Sequence, residues 1–145
     1  MSALGGIVLD STALLAFAAG RPYPAAIVWH AVEYGVVLVV PTAAVADARA
    51  RLSPGDHDVL NVLLDLPVTV IDDLTRAQAG RVADLLAKAD RPDLLATAHA
   101  AACARHRGIR LLTTDPEPIR ILSPQTWTRT KFRDRQTADV WSSCP

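Results

Sequence analysis

The sequence has no net charge, few aromatic residues and almost no glutamate, lysine or cysteine. Lys+Arg and Asp+Glu each number 15, so no global positive field draws in nucleic acid, and any such contact rests on local basic patches. Glu33 and Glu117 are the only glutamates, and Lys88 and Lys131 the only lysines. Surface helices normally draw on both types, so the skew reflects genome composition together with chemistry that needs aspartate and arginine. Cys103 and Cys144 make a poor disulfide framework, which points to a reducing cytoplasm. No basic residue precedes Arg21, and no apolar run approaches the ~18 residues of a membrane span. The expectation is a soluble, unexported protein that makes no membrane contact. What remains is a chain of 145 residues, 50% hydrophobic and 21% charged, enough for one domain over residues 1–145 with one core of Ala, Val and Leu.

Residues 6–9 form an apolar run that ends at Asp10 and passes through Ser11 and Thr12 into a second apolar stretch, the pattern of a buried strand followed by a capped helix. Helical spacing over 24–34 stops at Gly35, and the run 36–40 follows without alternation, as in a strand covered on both faces. Helices are expected over 41–52 and 54–64, a strand over 68–71, helices over 74–88 and 92–107, and a strand over 109–113 after Gly108. Strands alternating with single or paired helices predict an α/β fold with a mostly parallel sheet. Residues 123–145 are polar and rich in arginine, a tail whose only candidate for a closing strand is 125–132.

In parallel α/β sheets chemistry collects at the carboxyl ends of strands, where strand order reverses. Asp10 ends the first strand and Asp115 follows the fourth, while Asp47 lies in the helix after the second strand and Asp93 opens the helix before the fourth. Gathered carboxylates repel unless a divalent cation sits between them, and oxygen ligands select a hard ion such as Mg²⁺, which suits phosphodiester hydrolysis. Each residue also has an ordinary role. Asp10 can cap a helix, Asp90 and Asp93 can form a capping pair, Asp115-Pro116 can open a turn, and Asp47 can pair with Arg51 for about 0.2–0.5 kcal/mol.

Four segments carry a more specific likeness. Val8-Leu9-Asp10-Ser11-Thr12-Ala13-Leu14-Leu15 resembles the opening of PIN-domain nucleases. Pro41-Thr42-Ala43-Ala44-Val45-Ala46-Asp47 is similar to the segment where that family usually carries glutamate. Ala89-Asp90-Arg91-Pro92-Asp93-Leu94-Leu95-Ala96-Thr97-Ala98 resembles its third acidic motif, and Leu111-Leu112-Thr113-Thr114-Asp115-Pro116-Glu117 its fourth. The likeness spans about residues 6–122. It implies a PIN-like three-layer fold with a central mostly parallel sheet of four or five strands flanked by helices. It further implies an Mg²⁺- or Mn²⁺-dependent ribonuclease, most often the toxin of a VapC-like toxin-antitoxin pair, with an RNA substrate, an antitoxin partner and a homodimer. In such a site Asp10, Asp93 and Asp115 would hold the cation and Asp47 would complete the cluster or orient a water. Thr12 and Thr113 would supply hydroxyls, and Asp90 would be auxiliary. Asp47 is one methylene shorter than the usual glutamate.

Arg129, Lys131, Arg133 and Arg135 alternate, with Trp127 and Phe132 among them, so a strand here could track a phosphate backbone or serve as a charged sheet edge. Arg49 and Arg51, beside Asp47, are further RNA-contact candidates. His99, Cys103 and His106 share a helix face, but zinc normally takes a fourth ligand. The plainer expectation is Cys103 in the core with the histidines flanking it at the surface. The leading function is a metal-dependent endoribonuclease. The alternative is a catalytically inactive PIN-like domain that binds protein or RNA, and an aspartyl-phosphate phosphotransferase built on Asp10 is a remote third.

Overall fold

The computed structural model describes residues 5–126 and 128–129. In chain order these are β1 (Gly6–Leu9), α1 (Ser11–Ala18), α2 (Pro22–Tyr34), β2 (Val37–Pro41), α3 (Thr42–Arg51), a 3-10 turn (Pro54–Asp56), α4 (His57–Leu64), β3 (Thr69–Asp72), α5 (Arg76–Ala89), α6 (Leu95–Arg107), β4 (Arg110–Leu112), α7 (Glu117–Leu122) and β5 (Thr128–Arg129). The strands form one sheet in the order β3-β2-β1-β4-β5, and every pairing is parallel. The α/β fold expected from sequence is the one observed, and the closing strand sought within 125–132 is β5, paired to β4 through Leu111↔Thr128 and Leu112↔Arg129.

Alternate side chains of each central strand enter opposite layers, the consequence of a two-residue repeat. Ile7, Leu9, Leu38, Val40 and Leu112 face one way, against Leu14 and Phe17 of α1, Ile27 and Val28 of α2, Ala44 and Ala48 of α3, and Leu60 and Leu63 of α4. Val8, Val39 and Leu111 face the other, against Ala100, Cys103 and Ala104 of α6 and Ile119 of α7. The alanines let α6 lie close to the sheet. Its outer side packs through Ala98, Ala101 and Ala102 with Val82 and Leu85 of α5. Leu60, Leu63 and Leu85 are therefore interior residues.

Strand order runs outward from β1 through β2 to β3 on one side and through β4 to β5 on the other. The reversal lies between β1 and β4, and their carboxyl ends deliver Asp10 and the residues from Thr113 onward. Sheet burial dominates the stability of this arrangement. Leu38, fully buried on β2, is expected to cost about 2–5 kcal/mol on truncation to Ala, read as a fall in unfolding free energy during urea denaturation.

Candidate active site

Asp10 is the single residue between β1 and α1. Its backbone N–H donates to the Leu112 carbonyl at 3.3 Å and its carbonyl accepts from Leu14 N at 3.0 Å. Its side-chain Oδ1 accepts from Ala13 N at 2.9 Å, so the ordinary role as helix cap is real. The same oxygen accepts the Thr12 hydroxyl at 2.6 Å, a short bond of the charge-assisted kind. Thr12 has one proton to give, and Asp10 takes it. Thr12 Oγ1 therefore accepts, from Thr114 N at 2.9 Å, with a second lone pair facing Thr113 Oγ1 at 3.0 Å. Thr113 is wholly buried and accepts from Asp115 N at 3.1 Å. A chain of hydroxyls thus joins the end of β1 to the turn after β4.

Asp10 itself is only 5% exposed. Burial raises its pKa above the ordinary carboxylate value, outweighing the hydrogen bonds from Thr113, Thr12 and Ala13 that act to lower it. Among the described residues, no cationic side chain is among the groups that shift it. A buried carboxylate of this kind, with oxygen donors around it, fits a divalent cation as its missing counter-charge.

The other acidic residues are held differently. Asp93 lies in the turn ahead of α6, exposed, and accepts from Arg91 Nε at 3.0 Å and Nη2 at 2.9 Å, which lowers its pKa. The capping pair weighed from sequence is not formed. Asp90 instead ends α5 in the left-handed region at φ 52°, and α6 begins after Leu94 without a side-chain cap. Asp47 accepts from Arg51 at 3.2 Å within α3, the ordinary pair at helical spacing. Asp115 joins the site through its backbone, with its side chain exposed. The structure thus binds Asp10, Thr12, Thr113 and Asp115 into one network and leaves Asp47 and Asp93 each engaged by an arginine of its own segment. Among the described residues, no three of Asp10, Asp47, Asp93 and Asp115 have ligand atoms within 4.8 Å of one another.

That distance is met by Asp72, His99 and Cys103; the sequence puts His99 and Cys103 on one helix face, and Asp72 is the member that sequence reasoning missed. His99 corrects the surface expectation. It is fully buried, because α6 turns this face toward α3 and α5, while His106 is exposed. Its Nδ1 accepts from Ala43 N at 3.4 Å, which puts the ring proton on Nε2, 3.0 Å from Gln78 Oε1. Gln78 Nε2 then donates to Asp72 Oδ1 at 2.8 Å, and Arg107 Nε donates to Oδ2 at 3.2 Å. Both ring nitrogens and both carboxylate oxygens are occupied, and a guanidinium already neutralises Asp72. Burial, with Asp72 beside it, pushes the Cys103 thiol up to about 12, far from a thiolate ligand. The cluster is a closed hydrogen-bond network that ties α6 to α3, α5 and β3. Asp72 ends β3 as Asp10 ends β1, and that shared position was the signal available in the sequence.

Of the RNA-contact candidates, Arg49 donates to Asn61 Oδ1 at 2.6 Å and Arg51 holds Asp47. Arg129 lies on β5. Lys131 and Arg133, like Trp127, Phe132 and Arg135, lie outside the described residues.

A family model described as "PIN domain" matches residues 7–121. No curated protein matches the chain. Among solved structures, VapBC2 from Rickettsia felis, bound to a DNA fragment from their promoter, is similar at TM-score 0.64 and 14% identity, covering 86% of this chain and 98% of that one. PAE2754 from Pyrobaculum aerophilum is similar at TM-score 0.59 and 16% identity, covering 86% and 84%.

Two pH effects follow. Asp10 has a raised folded pKa, so its contribution is favourable below the unfolded value and is lost as pH rises through the folded one. Asp10→Asn keeps a capping oxygen and removes the charge. In EDTA it is expected to raise unfolding free energy by about 1–3 kcal/mol at pH 7, with the gain vanishing below pH ~3.9. Burial depresses the pKa of His99, against the pull of Asp72 and Asp73. Its contribution is present above the ordinary value of 6.5 and is lost as pH falls below it. Thermal melts of wild type should show that loss, and melts of His99→Gln should show a smaller one.

Proposed function

The chain belongs to the PIN-domain family, and from that premise we infer that it is a metal-dependent endoribonuclease, the toxin of a toxin-antitoxin pair. The observation that carries the reading is Asp10, a carboxylate held in the interior at the strand-order reversal with no cationic side chain among the described residues to balance it. Burying a charge here carries a desolvation cost that a structural role alone does not require, since an uncharged asparagine caps a helix as well.

Asp10, Asp93 and Asp115 would hold Mg²⁺ or Mn²⁺, and Asp47 would complete the acidic cluster or orient a water. When bound, the cation stabilises charge on the phosphate oxygens as a Lewis acid. The chain's own residues do the rest. Thr12 fixes the Asp10 carboxylate by hydrogen bonding and is itself held by Thr113, so the carboxylate does not reorient as substrate enters. Asp93 would become available when Arg91 moves aside, which an exposed ion pair permits at small cost. Asp90, with its left-handed backbone, sets the turn that carries both. The likeness to VapBC2 supports an antitoxin partner, and the family likeness supports RNA as substrate, a homodimer and action in the cytoplasm.

The second reading, an inactive binding module, is favoured by one observation: Asp47 and Asp93 are both engaged by arginines. Incubation of the purified chain, checked by mass for co-purified partner, with single-stranded RNA separates the two. The nuclease reading expects discrete fragments with Mn²⁺ or Mg²⁺ and none in EDTA. Asp93→Asn should cut at least about 100-fold more slowly and show weaker Mn²⁺ binding by calorimetry. Cleavage that persists in EDTA, or is unchanged in Asp93→Asn, overturns it.

A further inference from the structure

A cleft of about 620 Å³ begins at Thr12 and Thr114 and runs away from Asp10 along α1. Sites for small ligands occupy roughly 300–1,000 Å³, so it has room for a nucleotide. Leu15 and Ala16 of α1 give it an apolar wall, and Arg21, Tyr23, Arg51 and Asp56 bring polar chemistry to the remainder.

Its shape is built by a turn. α1 ends at Ala18, and Gly20 adopts φ 75°, a conformation open to glycine at no steric cost. Gly20 N donates to Phe17 O and Arg21 N to Ala16 O, both at 3.0 Å, a paired closure that satisfies the last carbonyls of the helix. This turn leads α1 into α2, and Arg21 and Tyr23 come to line the same cleft as Leu15 and Ala16. Arg51, at the end of α3, and Asp56, on the connection from α3 to α4, line it as well.

We propose that this cleft is the subsite for a nucleotide of single-stranded RNA flanking the scissile phosphate, a proposal that rests on the ribonuclease reading above. The base stacks on the Tyr23 ring, which is the sequence-tolerant way that proteins hold an unpaired base. The flanking phosphates meet the guanidinium groups of Arg21 and Arg51. Asp56 is an acceptor with no use for a phosphate. It takes the exocyclic amine of adenine, cytosine or guanine and disfavours uracil, which has none. The cleft is continuous with the catalytic network because Thr12 belongs to both. Arg51 belongs to both as well: it lines the cleft and pairs with Asp47, so a phosphate arriving there competes for Arg51 and frees the Asp47 carboxylate.

The test measures binding and cleavage separately. Fluorescence anisotropy with labelled eight-nucleotide RNAs of A, C, G or U, on wild-type protein in EDTA, reads the subsite without any reaction. Tyr23→Ala is expected to weaken binding about 5- to 100-fold while Tyr23→Phe keeps it. Arg21→Gln, at an exposed position that does not threaten folding, should lower the slope of log affinity against log salt by about one. Asp56→Asn should narrow the preference for amine-bearing bases over U. Equal affinity in wild type, Tyr23→Ala and Arg21→Gln overturns the subsite even if cleavage is observed. Wild type that binds through Tyr23 but cuts nothing with Mn²⁺ overturns the nuclease reading and leaves the nucleotide site standing.

Discussion

The arrangement depends on one carboxylate kept in the interior. Asp10 is the whole connection between β1 and α1, so there is no slack in which its side chain could turn outward. Its backbone is tied to Leu112 on one side and to Leu14 on the other, and its side chain starts the helix. Burial opposes its charge, and the capping bond and the Thr12 hydroxyl offset only part of that cost. A fold that keeps such a residue gives up stability at a fixed point, the usual mark of a site retained for chemistry.

The surrounding elements follow from holding that point still. Thr12 lies in the first turn of α1 and reaches across to Thr113 and to the backbone of Thr114, so α1 and the end of β4 cannot move independently. Beyond them, α6 carries Asp93 just ahead of its first turn. Its position is set by alanines against the sheet and by His99, which reaches α3 through Ala43 and α5 through Gln78. The neutral imidazole, one nitrogen accepting and the other donating, is the joint through which three helices share one orientation.

Much of this was legible in the sequence because it depends on local pattern. The unbroken apolar runs of β1 and β2 read as doubly covered strands, and Gly35 and Gly108 marked helix ends where the backbone takes positive φ. Asp10 could be placed at a strand end from its neighbours alone. What escaped depended on tertiary neighbours. Helical spacing puts His99 on a face with Cys103 but does not say that α3 and α5 cover that face. Asp93 was expected to open α6, yet the helix starts at Leu95, since Arg91 captures the carboxylate that would have capped it. The two-residue β5 is too short to show a period.

Asp10 and Asp72 show why position in the fold does not by itself decide function. Both stand at the carboxyl end of a parallel strand, and both are drawn largely out of solvent. Asp72 faces Arg107 and Gln78, its pKa falls below the ordinary value, and its oxygens are spent on structure. Asp10 meets hydroxyls and a backbone amide, none of which carries charge, and its pKa rises. The same residue type, at equivalent strand ends, is neutralised by the protein in one case and left without a counter-charge in the other. Among the described residues no side chain brings a positive charge to Asp10. This separates the two clusters more sharply than distance does: the atoms of the Asp72 cluster lie close enough to share a metal, but Arg107 already balances that carboxylate, whereas among the described residues no cationic side chain shifts Asp10.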